Sequence, residues 1–185
     1  MTQKNFQRRM VLGTAVAAAM LIPAGLARAQ TATDTQDAWT VLNAHPEFSD
    51  AVALFKYTGL TQYVQSDRFT AFIPTNAAFN KNPEVLPMLM KGKSRAFPDT
   101  AEAVRFVRAH AIYDLHPLSE FSGKTVSLTA ISGNRLGISG TQQGIYTVTW
   151  ESVNGKLAVA HVVDKPLVTA NALIYPVDTV ILTAP

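Results

Sequence analysis

Four histidines, His45, His110, His116 and His161, are the side chains here best suited to hold a metal or move a proton. A zinc site of the His-Glu-x-x-His kind needs two imidazoles four residues apart on one helix face, and no pair has that spacing. His45 and His116 each precede a proline, where the chain turns. His110 falls where an apolar helical pattern passes into a strand pattern, a place that suits a hydrogen-bonded structural ring. Serine chemistry is no better supported: Gly137-Ile138-Ser139-Gly140 lacks the Gly-x-Ser-x-Gly spacing and has no helix after it. A hydrolase would need Asp164, Asp178 or His110 to converge in a cleft, and nothing in their spacing demands it. Neither a Gly-rich phosphate loop with its lysine nor a dinucleotide fingerprint is present. These residues point to no catalytic group, no metal and no cofactor, and so to a protein that is not an enzyme. Tyr57, Tyr63, Tyr146 and Trp150 could line a carbohydrate or protein surface. Tyr146, Val148 and Trp150 share one face of a strand, however, and that face is expected to be buried.

The elements that carry these residues follow from the apolar periods. Trp39 and Leu42, then Phe48, Val52, Leu54 and Phe55, recur at helical spacing, with His45-Pro46 as the break between them. Ser49 or Asp50 opens the second helix and Gly59 closes it as a left-handed terminal residue. Leu60 to Val64 forms one more short turn. Phe69 to Ile73 reads as a strand, after which the stretch FTAFIPTNAAF turns at Pro74-Thr75-Asn76. Proline fixes φ and ends the strand, Thr75 caps the next helix, and Asn76 satisfies amides at the junction. Glu84 to Met90 is a short helix, Lys91 to Phe97 a basic connection, and Asp99 with Glu102 has the layout of a capping box. From Ala109 the period becomes two. Strands are expected at 125–128, 135–138, 146–153, 157–163, 172–177 and 179–182, with Asn154-Gly155 as a type I′ hairpin turn. Helices first and strands later give an α+β domain around one core.

Residues 1–29 have the layout of a cleaved export signal: Lys4, Arg8 and Arg9, an apolar stretch from Met10 to Leu26, then Ala27-Arg28-Ala29. The Arg8-Arg9 pair leaves the twin-arginine and the ordinary export routes both open. Residues 30–36 read as a short tether and 37–185 as the domain. Cleavage removes four cations and no acid, taking the formal charge from +3 to −1, and no Lys/Arg run survives to bind nucleic acid. The chain holds no cysteine, so disulfides and thiolate chemistry are excluded. Beyond the signal no apolar run reaches the ~20 residues of a membrane span. An exported protein, periplasmic or secreted, is the expectation.

Three segments in order carry a family resemblance. FTAFIPTNAAF, Ala-His-Ala-Ile at 109–112, and VVDKPLVTANALIYPVDTVIL at 162–182 resemble the signature segments of the fasciclin domain, and VLNAHPEFSDAVALFKYTGL resembles its opening helices. The likeness runs from about Asp37 to Pro185 and is to a bacterial-type, exported, single-domain member. It implies a β-wedge with helices packed around it, the two signature strands paired in the core, and adhesion roles in and near them. Pro74, Thr75, Asn76, His110, Asn171 and Tyr175 are thereby the candidate binding residues, with Lys91, Lys93 and Arg95 of the basic connection as exposed-loop candidates. The chain departs from the pattern at Ala109, where the family has tyrosine, at Tyr113, Ala172 and Tyr175. The leading reading is a non-enzymatic binding module for an envelope, matrix or host-surface protein or polysaccharide, with self-association as a route to avidity. The alternative is a periplasmic carrier or sensor of a small apolar ligand, which requires a sizeable apolar pocket.

Overall fold

The computed structural model describes residues 35–90 and 100–183. The expected export signal, most of the expected tether, Asp99, and the basic stretch with Lys91, Lys93 and Arg95 lie outside the described residues.

Among the described residues, six α-helices form most of one layer. Asp37 caps α1 (Ala38–Ala44) by accepting from the Thr40 N–H at 2.9 Å, and the helix buries Ala38, Val41 and Leu42. His45-Pro46 stops it, and a 3-10 turn over Pro46–Phe48 runs straight into α2 (Ser49–Thr58). Gly59, at φ 69°, ends α2 in a Schellman arrangement, with the Leu60 N–H donating to Phe55 at 3.2 Å and its own N–H to Lys56. Short helices α3 (Thr61–Ser66), α4 (Asn76–Asn80) and α5 (Val85–Met90) follow around strand β1 (Phe69–Pro74). Helix α6 (Ala101–Ala109) buries Ala103, Phe106 and Ala109. Thr100 stands at its N-terminal boundary and its side chain makes no cap bond; the expected Asp99 cap lies outside the described residues.

Two four-stranded sheets complete the fold. In the first, β2 (Ala111–Tyr113), β1, β8 (Ala172–Val177) and β7 (Leu167–Val168) lie in the order β2-β1-β8-β7. Strands β1 and β8 pair in parallel, from Phe69 opposite Ala172 to Pro74 opposite Val177, which is the pairing that the resemblance implies. Every residue of β1 is buried, as a central strand covered on both faces requires. Phe69, Ala71, Ile73, Ala172 and Ile174 pack with the helices. Phe72, Ile112, Tyr175 and Val177 point the other way, into a second core shared with the other sheet. That sheet is an antiparallel meander of β3 (Thr125–Thr129), β4 (Arg135–Gly140), β5 (Tyr146–Glu151) and β6 (Leu157–His161). The layers are therefore helices, mixed sheet and meander, an α+β architecture.

The meander corrects one turn. At Asn154-Gly155 only the glycine has positive φ, 73°, and the Gly155 N–H donates to Ser152 while the Ser152 N–H donates to Lys156. This is a three-residue loop, a type I turn closed by a left-handed glycine, and it needs one positive φ where a type I′ turn needs two. Gly133 and Gly144 close the two preceding hairpins with the same bond pattern, so the three glycines recur every eleven residues. Open space surrounds Gly144, and the nearest atom to a Cβ at Gly155 lies at 3.9 Å, so backbone conformation alone penalises a side chain there. Gly155→Ala is expected to cost about 1 kcal/mol, read as a lowered thermal midpoint.

A second correction concerns the C-terminal run. Residues 179–182 are not a strand: the chain bends at Asp178, and Val180 and Ile181 are buried without a ladder, with a single bridge at Ser152 and Thr183.

Candidate functional site

The Pro-Thr-Asn corner is a junction of four elements, β1, β8, α4 and α2. Pro74 closes β1, and the Thr75 N–H donates to the Val177 carbonyl at 3.2 Å. The Thr75 hydroxyl accepts from the Ala78 N–H at 3.4 Å and caps α4. Asn76 reaches across to α2: its Oδ1 accepts from the Asp50 N–H at 3.1 Å, and its Nδ2 donates to the Pro46 carbonyl and the Ser49 hydroxyl at 3.0 and 2.9 Å. An amide side chain is both donor and acceptor, so one asparagine serves the unpaired N–H at the start of a helix and a turn carbonyl together.

Asn171 repeats that chemistry at the other end of the paired strands. Its Oδ1 accepts from the Ala38 N–H at 2.9 Å at the start of α1, and its Nδ2 donates to the carbonyls of Val64 and Asp67 at 3.0 and 2.8 Å at the end of α3. Asn76 and Asn171 thus stand a strand length apart, about 20 Å by strand rise, and do not form one cluster.

His110 is buried at the exit of α6. Nδ1–H donates to the Phe106 carbonyl and Nε2 accepts from the Ile181 N–H, both at 2.8 Å, a pattern that needs the neutral ring. Burial pushes its pKa down to about 4. The Tyr175 hydroxyl donates to the His116 carbonyl at 2.9 Å, its ring lies 5.6 Å from that of Phe72, and burial pushes its pKa up to about 12. Every described candidate from the signature segments is thus committed to hydrogen bonds or packing inside the fold.

The groups of the hydrolase reading have separate partners. Burial opposes ionisation of Asp178, but the His161 N–H at 2.8 Å, the Thr179 hydroxyl at 3.0 Å and Lys81 at 3.5 Å outweigh it and hold the carboxyl below its usual range. Asp164 accepts from the Lys165 N–H at 2.6 Å, and His110 is buried with both ring nitrogens bonded to backbone. Among the described residues no group of three His, Asp or Glu side chains is arranged to hold a metal. Of the four aromatics singled out, Trp150 is buried with its indole N–H on the Leu182 carbonyl at 3.0 Å, Tyr146 is half-buried, and the buried Tyr57 hydroxyl has no hydrogen-bond partner among the described residues. Tyr63 is exposed.

Two surface features remain. The first is a cavity of about 230 Å³ between the helical layer and the β2 edge of the mixed sheet, floored by Phe55, Leu60, Val64, Phe69 and Ile73. Tyr63, Asp67, Arg68, Arg108 and Tyr113 also line it. The arginines and Tyr113 were missed in the sequence because no local pattern distinguishes them from solvated surface. The second is the outer face of the meander. Cross-strand register sets Thr125, Ser139, Thr147 and His161 in one row, Ser127, Gly137, Thr149 and Val159 in the next, and Thr129, Arg135, Glu151 and Leu157 on the remaining positions. All are exposed or half-buried, whereas Leu136, Ile138, Val148, Trp150 and Ala160 on the inner face are buried.

The sequence profile of the fasciclin domain matches residues 46–183, most of the chain. The chain belongs to the fasciclin domain family. Among solved structures, this fasciclin domain is similar to the FAS1 domain pair of the insect cell adhesion molecule fasciclin I, with 19% identity and a TM-score of 0.63. The match covers 80% of this chain and 51% of that one, so the chain spans about half the length of the pair. At this identity the likeness is one of fold. No curated protein matches the chain. The three segments that carry the resemblance lie at the β1–α4 corner, at the α6–β2 exit with His110, and over 162–182, which holds β7 and β8.

Proposed function

We propose that this fasciclin domain, residues 37–185, is an exported non-enzymatic contact module released from a leader at 1–29, and that the outer face of its meander meets a protein or polysaccharide of the envelope, matrix or a host surface. The observation that carries the reading is the uncovered face itself. Its twelve positions include only two side chains of fixed charge, Arg135 and Glu151, and they are mostly small: threonine, serine, glycine and valine. A flat, weakly charged face costs little to desolvate and lets a partner approach closely, as contact surfaces require. Leu157 and Val159, 74% and 41% exposed, add apolar area at its edge. Membership of a family that includes a domain pair from an adhesion molecule supports contact as the task. Contact through one small face is weak, and copies displayed together gain avidity.

The test is a charge placed on the face. Thr149→Lys with Val159→Glu is expected to reduce saturable binding to envelope and matrix fractions by about tenfold or more, while the unfolding midpoint stays near that of the unaltered protein. Binding that survives both substitutions overturns the assignment of the face.

A further inference from the structure

The cavity on the helical side has a chemistry that the contact reading does not use. Its floor is apolar, from Phe55 and Leu60 to Ile73, and its volume of about 230 Å³ exceeds the ~150 Å³ of an apolar cavity known to hold benzene. The lining also includes Tyr63 and Tyr113, which are 56% and 65% exposed. Large aromatic side chains left in water beside an apolar cavity offer walls for an occupant. Arg68 and Arg108 line the same cavity, and among the described residues neither forms an ion pair. Asp67 is the one carboxylate of the lining, so two guanidinium groups face one acid and the site carries a net single positive charge.

We propose that this cavity binds a small amphipathic monocarboxylate, an aliphatic or aromatic acid of roughly eight to ten carbons by volume, with its body among the floor residues and its carboxylate at Arg68 and Arg108. The planar guanidinium matches a carboxylate through two parallel N–H bonds, which an alcohol or amine cannot reproduce. One net positive charge suits a monoanion better than a doubly charged phosphate. Both arginines are exposed, so water screens the attraction and apolar burial carries much of the binding. The meander face lies on the far side of the mixed sheet, so the two sites can be tested separately.

The experiment is calorimetric titration of the purified protein with decanoate, 1-decanol and decylamine. Decanoate is expected to bind saturably and at one site, decanol about tenfold more weakly, and decylamine not at all. Arg68→Gln with Arg108→Gln is expected to bring decanoate down to the level of decanol and leave decanol unchanged. Ala111→Phe, at a half-buried lining position on the sheet edge, is expected to fill the cavity and abolish both while the protein remains folded by circular dichroism. No saturable decanoate binding, or equal binding of all three probes, overturns the proposal. So does decanoate binding that is indifferent to the arginine substitutions or to Ala111→Phe.

Discussion

Asn171→Ala lowers the stability of this fasciclin domain by about 3–5 kcal/mol. The size follows from what the side chain holds. Its removal strands the Ala38 N–H and takes the Nδ2 donor from the Val64 and Asp67 carbonyls. Each buried polar group left unpaired costs about 1–3 kcal/mol, and water at the part-buried Asp67 end keeps the total below the simple sum. The loss is also structural in kind, because one amide joins the start of α1, the end of α3 and the start of β8. Asn171→Asp tests that point: it retains an acceptor for Ala38 but sets a carboxylate against two carbonyl oxygens, and is expected to be no milder than alanine. Urea denaturation of the three proteins measures the difference. Stability within 1 kcal/mol of the unaltered domain, together with lost binding, would instead place Asn171 in recognition.

Local chemistry was the legible part of this fold. The break at His45-Pro46, the left-handed Gly59, the Thr75 cap and the alternation that buries Val148 and Trp150 each depend on residues close in sequence. The failures arise where a distant group claims a backbone atom. Residues 179–182 have a strand's composition, but the Ile181 N–H is taken by His110, 71 positions away, instead of by a neighbouring strand. Asn154-Gly155 suggested two positive φ angles, yet an extra residue in the loop lets the glycine alone supply the left-handed step.

The candidate residues show the same divide. Asn76 and Asn171 could be recognised as polar groups able to satisfy amides, but the backbone groups they serve lie 26 to 30 and 104 to 133 positions away, and no spacing rule reaches that far. The cavity was illegible for a related reason. Its lining comes from α2, α3, β1, α6 and β2, and only the fold brings these distant stretches together. The weakly charged meander face, in contrast, was half visible: the threonines of β5 alternate with buried residues, and only the cross-strand register aligns them with Ser139 and Val159.

Acidification from pH 6.5 to about 4 removes a further contribution of about 3 kcal/mol, and His110 is its source. The folded ring has its pKa depressed from an ordinary 6.5 to about 4 by burial. The unfolded chain therefore binds a proton in this window that the folded chain refuses, and stability rises with pH across it. The contribution is fully present above 6.5, is lost as pH falls, and levels off below about 4. Protonation has a defined structural target, because an imidazolium has no lone pair for the Ile181 N–H. The C-terminal segment must then detach from α6, and with it the Leu182 carbonyl that accepts the Trp150 indole N–H. Trp150 emission should shift to the red along the same pH curve as the loss of stability. His110→Gln supplies a donor and an acceptor without a titrating proton, and is expected to lower stability at neutral pH while flattening the slope between 6.5 and 4. The depressed carboxyls of Asp178 and Glu47 favour the fold above their own ordinary values of 3.8 and 4.5 and act chiefly at the acid end of this window. A slope that persists near pH 6 in the glutamine variant would remove His110 as its cause.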